Sequence, residues 1–103
     1  MPAYMIFMRE EPVRDAAAMA DYQRMNREKT GGFSIKPLVV YGATEAVEGK
    51  APDGVIVLEF PDVTAAKAWY NSPGYQAALP YRLKAAEYRA FIVEGGQPPA
   101  AAG

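Results

Sequence analysis

The chain is expected to fold as an α+β domain of the ferredoxin-like βαββαβ type, with its helices on one face of an antiparallel sheet. Short apolar runs rich in β-branched and aromatic residues alternate with two stretches of three- and four-residue periodicity, in the order strand, helix, strand, strand, helix, strand. There are 103 residues, 50% of them hydrophobic, which is the material of one core, so residues 1–96 are read as a single domain. The two clearest strands are apolar at both parities: Val55 and Val57 alternate with Ile56, Leu58 and Phe60, and Tyr4, Ile6 and Met8 with Met5 and Phe7.

The first strand is Ala3–Arg9, bounded by Pro2 and by Glu10, Glu11 and Pro12. From Val13 to Lys29 the apolar positions Ala16, Met19, Ala20, Tyr22 and Met25 recur at helical spacing among charged residues. Asp15 is the expected N-cap of this helix, and Gly31 and Gly32 can take the left-handed conformation that ends it. The second strand is placed at Leu38–Val47, at an edge or starting near Pro37, because a proline donates nothing to a ladder. A turn over residues 48–54 then leads into Val55–Phe60 as a hairpin. Asp62 is the expected cap of a second helical region containing Ala65, Ala66, Trp69 and Tyr70. Ser72 and Pro73 restart the helix as N-cap and first residue, and Pro80 is expected to kink or split this segment. Arg89–Glu94 is the fourth strand, and residues 97–103 are expected to form a flexible tail.

Helices on one side cannot cover both faces of a sheet that is apolar on both. At about 25 cal/mol per Å² the drive to cover the second face is many kcal/mol, so a homodimer with the sheets packed together, a dimeric α+β barrel, is predicted.

Composition excludes much chemistry. The chain contains no His and no Cys, which removes imidazole acid–base work, thiolate nucleophiles, disulfides and the preferred ligands of zinc, copper and haem. Residues 1–51 carry seven Lys or Arg against seven Asp or Glu, and the remainder four against five, so neither half has the basic footprint of a nucleic-acid or anionic-membrane binder. The six-residue apolar stretch Ala3–Met8 has no basic leader and is far shorter than the roughly 18 residues of a membrane span, so a cytoplasmic protein is expected. The glycine pairs match no phosphate-cradling spacing, no carboxylate cluster resembles a calcium loop, and no cofactor is called for.

Glu59-Phe60-Pro61-Asp62, then Ala65-Ala66 and the run Ala68-Trp69-Tyr70-Asn71-Ser72-Pro73-Gly74-Tyr75-Gln76, with Arg82 seven residues after Tyr75 and Val93-Glu94-Gly95 closing, resembles the uncharacterised family numbered 1330 among the domains of unknown function. The resemblance covers residues 3–96 and is strongest from 59 to 95. It implies a dimeric α+β barrel, similar in fold to cofactor-free monooxygenases, lactone isomerases, dye-decolourising peroxidases and haem-degrading proteins, and it brings no reaction with it. The chain departs from the family pattern in its second strand, where an arginine and two glycines are common and Val40, Tyr41 and Gly42 stand here.

Arg82 is the first candidate for a site, because a guanidinium facing a cavity clamps a carboxylate or enolate bidentately and keeps its charge there. Tyr75, two helical turns earlier, falls on the same face provided Pro80 does not rotate the helix much. Glu59 shares parity with Val55 and Val57 and is the best general base on offer, unless it pairs with Arg82 or Arg89 or is exposed at the strand end. Tyr41 and Tyr70 add phenols suited to hydrogen-bond donation. Trp69 reads as a core anchor, Ser72 as a cap and the five methionines as core filler.

The leading reading is a homodimer with a pocket in each subunit between the sheet and the second helical region, holding a small anionic or aromatic molecule. As a cofactor-free enzyme it would carry out proton transfer or oxygenation of a small acidic substrate, with Glu59 and Arg82 catalytic and Tyr75, Tyr41 and Tyr70 binding. A non-catalytic binding or stress-related accessory protein and a purely structural dimer are the rivals.

Overall fold

The computed structural model describes residues 1–29 and 31–96; the tail expected at 97–103 lies outside them. The chain runs through β1 (Ala3–Arg9), α1 (Ala16–Lys29), β2 (Lys36–Val40), β3 (Gly54–Phe60), α2 (Val63–Tyr70), α3 (Pro73–Ala85) and β4 (Tyr88–Glu94). The strands form one antiparallel sheet in the order β2-β3-β1-β4, the ferredoxin-like arrangement expected from the pattern. Among the described residues no helix is long and apolar enough to cross a membrane.

Local chemistry sets the helix starts. The Asp15 carboxylate accepts from the Ala18 N–H at 2.9 Å, Asp62 from Ala65 at 2.7 Å, and the Ser72 hydroxyl from Tyr75 at 3.3 Å, with Pro73 in the first helical position. Pro80 does not split α3, which continues to Ala85. Its ring removes one helical N–H, the partner of the Gln76 carbonyl, and the rest of the ladder persists.

The second strand is shorter than its composition predicts. Pairing with β3 shifts register between Pro37 and Val39, and Tyr41 then enters the left-handed region at φ 55°, which turns the chain out of the sheet. The connection to β3 therefore runs from Tyr41 to Asp53 instead of forming a turn at 48–54.

Cross-strand register shows which parity meets the helices. Ala3, Met5 and Phe7 of β1 lie opposite Phe60, Leu58 and Ile56 of β3 and Glu94, Ile92 and Ala90 of β4. Ala3, Met5, Phe7 and Phe60 are buried under the helices with Ala18, Met19, Tyr22, Ala66, Trp69, Tyr75 and Ala78. The other parity, Tyr4, Ile6, Met8, Val55, Val57, Phe91 and Val93, lies on the uncovered face, where Phe91 and Val93 are each 43% exposed.

Candidate functional site

Tyr75, Ala78, Arg82 and Ala85 form the buried stripe of α3, so the seven-residue spacing does place Tyr75 and Arg82 on one face. The small side chains of Ala78 and Ala85 let α1 approach closely, and Tyr22 of α1 reaches Tyr75, the two hydroxyls being 3.0 Å apart. Trp69 packs on Tyr75 with ring centres 4.3 Å apart and meets Phe7 edge-on at 6.2 Å.

Arg82 ends inside this aromatic layer. It is 4% exposed, and its guanidinium carbon lies 5.2 Å from the centre of the Phe7 ring and 5.0 Å from that of Tyr88. Nε and Nη1 are buried without a hydrogen-bond partner, and among the described residues no carboxylate forms an ion pair with the side chain. Tyr88 is joined to Tyr41 by a 2.6 Å contact between hydroxyls. Burial pushes the phenols of Tyr22, Tyr41 and Tyr75 above the ordinary tyrosine value, and the nearby positive charge of Arg82 opposes this only in part. All three are therefore neutral O–H groups at pH 7.

A cleft opens beside this layer, between α1 and the β2–β3 edge of the sheet. Its more enclosed part, about 350 Å³, has Phe7, Ile56, Leu58 and Trp69 among its lining, with Tyr22, Asn26 and Arg27 supplied by α1 and Pro37 and Val40 by β2. An adjoining part of about 370 Å³ adds Gln23 and Tyr41. The Trp69 indole N–H is, like the two Arg82 donors, buried without a partner. The cleft wall presents apolar surface together with Tyr22, Gln23, Asn26, Arg27 and Tyr41 and no Asp or Glu among the described residues, and Arg82 lies outside its lining.

This cleft lies on the α1 side, away from the second helical region where the sequence places the pocket. Phe60, Trp69 and Tyr75 pack much of the space between the sheet and the second helical region, where a depression of about 310 Å³ remains between Tyr70 and the sheet. Tyr41 lines the cleft, and Tyr75 stands behind Tyr22. Tyr70 packs on Tyr75, with ring centres 5.2 Å apart, but lines the separate depression with Met5 and Phe91. Ser72 is engaged at both ends, donating to the Trp69 carbonyl at 2.7 Å and accepting from Tyr75, as its reading as a cap requires.

Glu59 is not brought to Arg82. Its Cα partners are Tyr4 and Lys36, so it lies on the uncovered face, across the sheet from the tyrosine layer. It borders a depression of about 530 Å³ beside Lys36 and Pro61, a shallow hollow whose lining holds none of the buried unpartnered polar atoms of the described residues. As general base for the Arg82 site Glu59 is ruled out by geometry.

Sequence reasoning misses Tyr22, Tyr88, Asn26, Arg27 and Arg9 as site residues. Tyr22 is legible only as part of an apolar helical stripe, and Tyr88 as the residue before a strand. Arg9 stacks on the Tyr41 ring at 4.7 Å while its Nε donates to Asp53 at 2.7 Å, which locks the Tyr41 ring in place. Among the described residues no group of three or more Asp or Glu side chains converges in a way that would hold a metal ion.

The fold is that of a ferredoxin-like α+β protein, with an apolar cleft beside α1 and, among the described residues, Arg82 buried without an acidic partner. The chain belongs to the family described as Domain of unknown function (DUF1330), whose profile matches residues 2–96. It is similar to a solved protein of unknown function from Rhodopseudomonas palustris, at 21% identity and a TM-score of 0.72 over 94% of this chain and 84% of that one. A dimeric ferredoxin-like protein of unknown function from Jannaschia sp. CCS1 aligns at 13% identity and a TM-score of 0.65, over 92% of this chain and 100% of the other. SnoaB, a cofactor-independent oxygenase from Streptomyces nogalater, aligns at 12% identity and a TM-score of 0.54 over 96% of each chain. Identities this low establish the fold alone. No curated protein sequence matches the chain.

Proposed function

We propose that the protein is a homodimer whose subunits each bind a small acid with an apolar body in the cleft between α1 and β2–β3. The observation that carries this reading is the Arg82 guanidinium, which is buried beside Phe7, one of the residues lining the cleft, with Nε and Nη1 unpartnered and aromatic rings instead of a carboxylate facing it. A buried charge left in that state is costly to the fold, and an anionic ligand supplies the missing partner. The apolar lining by Phe7, Ile56 and Leu58 suits a hydrocarbon or aromatic body. Dimerisation is supported by the apolar uncovered face and by the dimeric state of several proteins with this fold.

In an enzymatic form of this reading the same groups would stabilise a developing anion. Arg82 would supply charge, and the neutral phenols of Tyr22 and Tyr41 would supply hydrogen bonds. With no carboxylate in the wall, the substrate's own acidity would have to provide for proton loss, as in oxygenation of an already ionised compound.

Thermal-shift and calorimetric titrations with benzoate and hexanoate, each against its amide, test the reading. The carboxylates are expected to raise the melting temperature and the amides to leave it unchanged. Equal effects of acid and amide, or none from either, would overturn it.

A further inference from the structure

Among the described residues, the side-chain atoms buried without a hydrogen-bond partner are Nε and Nη1 of Arg82 and Nε1 of Trp69. Of these two residues only Trp69 lines the cleft, in its more enclosed part beside Phe7, Ile56 and Leu58. The hydroxyls packed near it are engaged: Tyr22 meets Tyr75 at 3.0 Å, and Ser72 donates to the Trp69 carbonyl at 2.7 Å. Packing alone does not ask for an indole nitrogen here. Trp69 is 1% exposed and held by ring contacts, with centres 6.2 Å from Phe7, 5.7 Å from Phe60 and 4.3 Å from Tyr75. An N–H left unmet among them costs the fold the desolvation of that donor.

Resting on the reading of this cleft as the site of a small acid with an apolar body, we propose that the Trp69 indole N–H is its specificity-determining donor. The ligand enters with its carboxylate leading, one oxygen accepts from Nε1 at the enclosed end, and the apolar body lies against Ile56, Leu58 and Val40 toward the mouth. A bond from an N–H to an anion is stronger than one between neutral groups, and this one forms out of water. An analogue with no acceptor at its leading end leaves the indole unmet and is rejected for that reason.

Trp69 is the only tryptophan of the chain, so it gives a single indole N–H resonance. Hexanoate and benzoate are titrated into isotope-labelled protein, with the methyl groups of Ile56 and Leu58 reporting occupancy of the cleft. Both acids are expected to move the indole proton downfield and to slow its exchange with water. Hexanoate carries no ring, so no ring current can produce its shift. Replacing the indole of Trp69 by benzothiophene, which keeps the shape and removes the N–H, is expected to weaken hexanoate binding about tenfold without lowering stability. If the methyl groups respond while the indole proton stays in place or moves with benzoate alone, or if the benzothiophene protein binds hexanoate equally well, the Trp69 donor is wrong and the cleft stands. If no resonance of the cleft responds to either acid, the cleft reading fails and takes this inference with it.

Discussion

The Arg82 guanidinium carbon stands 5.0 Å from the centre of the Tyr88 ring, and the Tyr88 hydroxyl is itself 2.6 Å from that of Tyr41. A buried cation is thereby linked, through one aromatic residue, to a phenol that lines an open cleft. Aromatic faces, each worth about 2 kcal/mol or more when desolvated, return only part of what the charge loses on leaving water, and they leave Nε and Nη1 unmet.

Arg82→Met separates binding from stability. Methionine fills a similar volume and adapts to irregular space, and it removes two unmet donors that cost roughly 1–3 kcal/mol each. The unfolding free energy from urea titration is expected to stay within about 1 kcal/mol of wild type or to rise, while stabilisation by carboxylates is lost. A loss above about 3 kcal/mol would mean that Arg82 holds the fold together.

Alkaline pH should weaken the protein through Tyr22, Tyr41 and Tyr75. Their folded values are raised above the ordinary tyrosine value of about 10, chiefly by burial, so above that pH the unfolded chain has released protons that the folded state retains. Their stabilisation is complete below about pH 10 and is lost as pH climbs through the raised folded values. Urea unfolding at increasing pH, with tyrosinate absorbance read in parallel, should show stability falling before these phenols ionise in the folded protein. Tyr22→Phe should make the decline shallower.

Gly54→Ala should be damaging although alanine is small. A Cβ at this position would lie 2.7 Å from Cδ1 of Tyr41 and 2.9 Å from Cε1. That ring cannot easily retreat, because Arg9 covers it, the Tyr41 N–H donates to the Val55 carbonyl at 2.8 Å, and its hydroxyl meets Tyr88. A loss of about 1–3 kcal/mol is expected in denaturant titration, together with weaker carboxylate binding as Tyr41 shifts at the cleft wall.

Phe91 lies opposite Ile6 on the uncovered face. Sedimentation of the wild-type protein should show twice the 11.2 kDa chain mass, and Phe91→Glu, which sets a charge in that apolar surface, should shift the population to monomer. A wild-type monomer at micromolar concentration would remove the dimer from the proposal.

Much of the architecture is written locally. Asp15, Asp62 and Ser72 mark the helix starts because a capping side chain bonds N–H groups two or three residues away, a relation visible in any sequence. The second strand stops short of its apolar run because of Tyr41, which has no local reason to adopt a left-handed φ; its ring is held there by Arg9, Gly54 and Tyr88, which are distant in the chain. The site is half legible: Tyr75 and Arg82 follow from helical spacing, whereas Tyr22 comes from 53 residues away to complete the pair with Tyr75.

Glu59 marks the division most clearly. Alternation alone places it with Val55 and Val57, and the structure agrees, yet alternation is symmetric and cannot say which of two apolar parities the helices will cover. Element order, caps, the absence of thiol and imidazole chemistry and the two-sided greasiness of the sheet were determined by the residues themselves, since each depends on covalent composition or on neighbours within a few positions. Which side is roofed, that Arg82 lies beneath that roof without an acid, and that the opening falls beside α1 were decided only when strands and helices distant in sequence packed together, because burial is a property of the assembled layers.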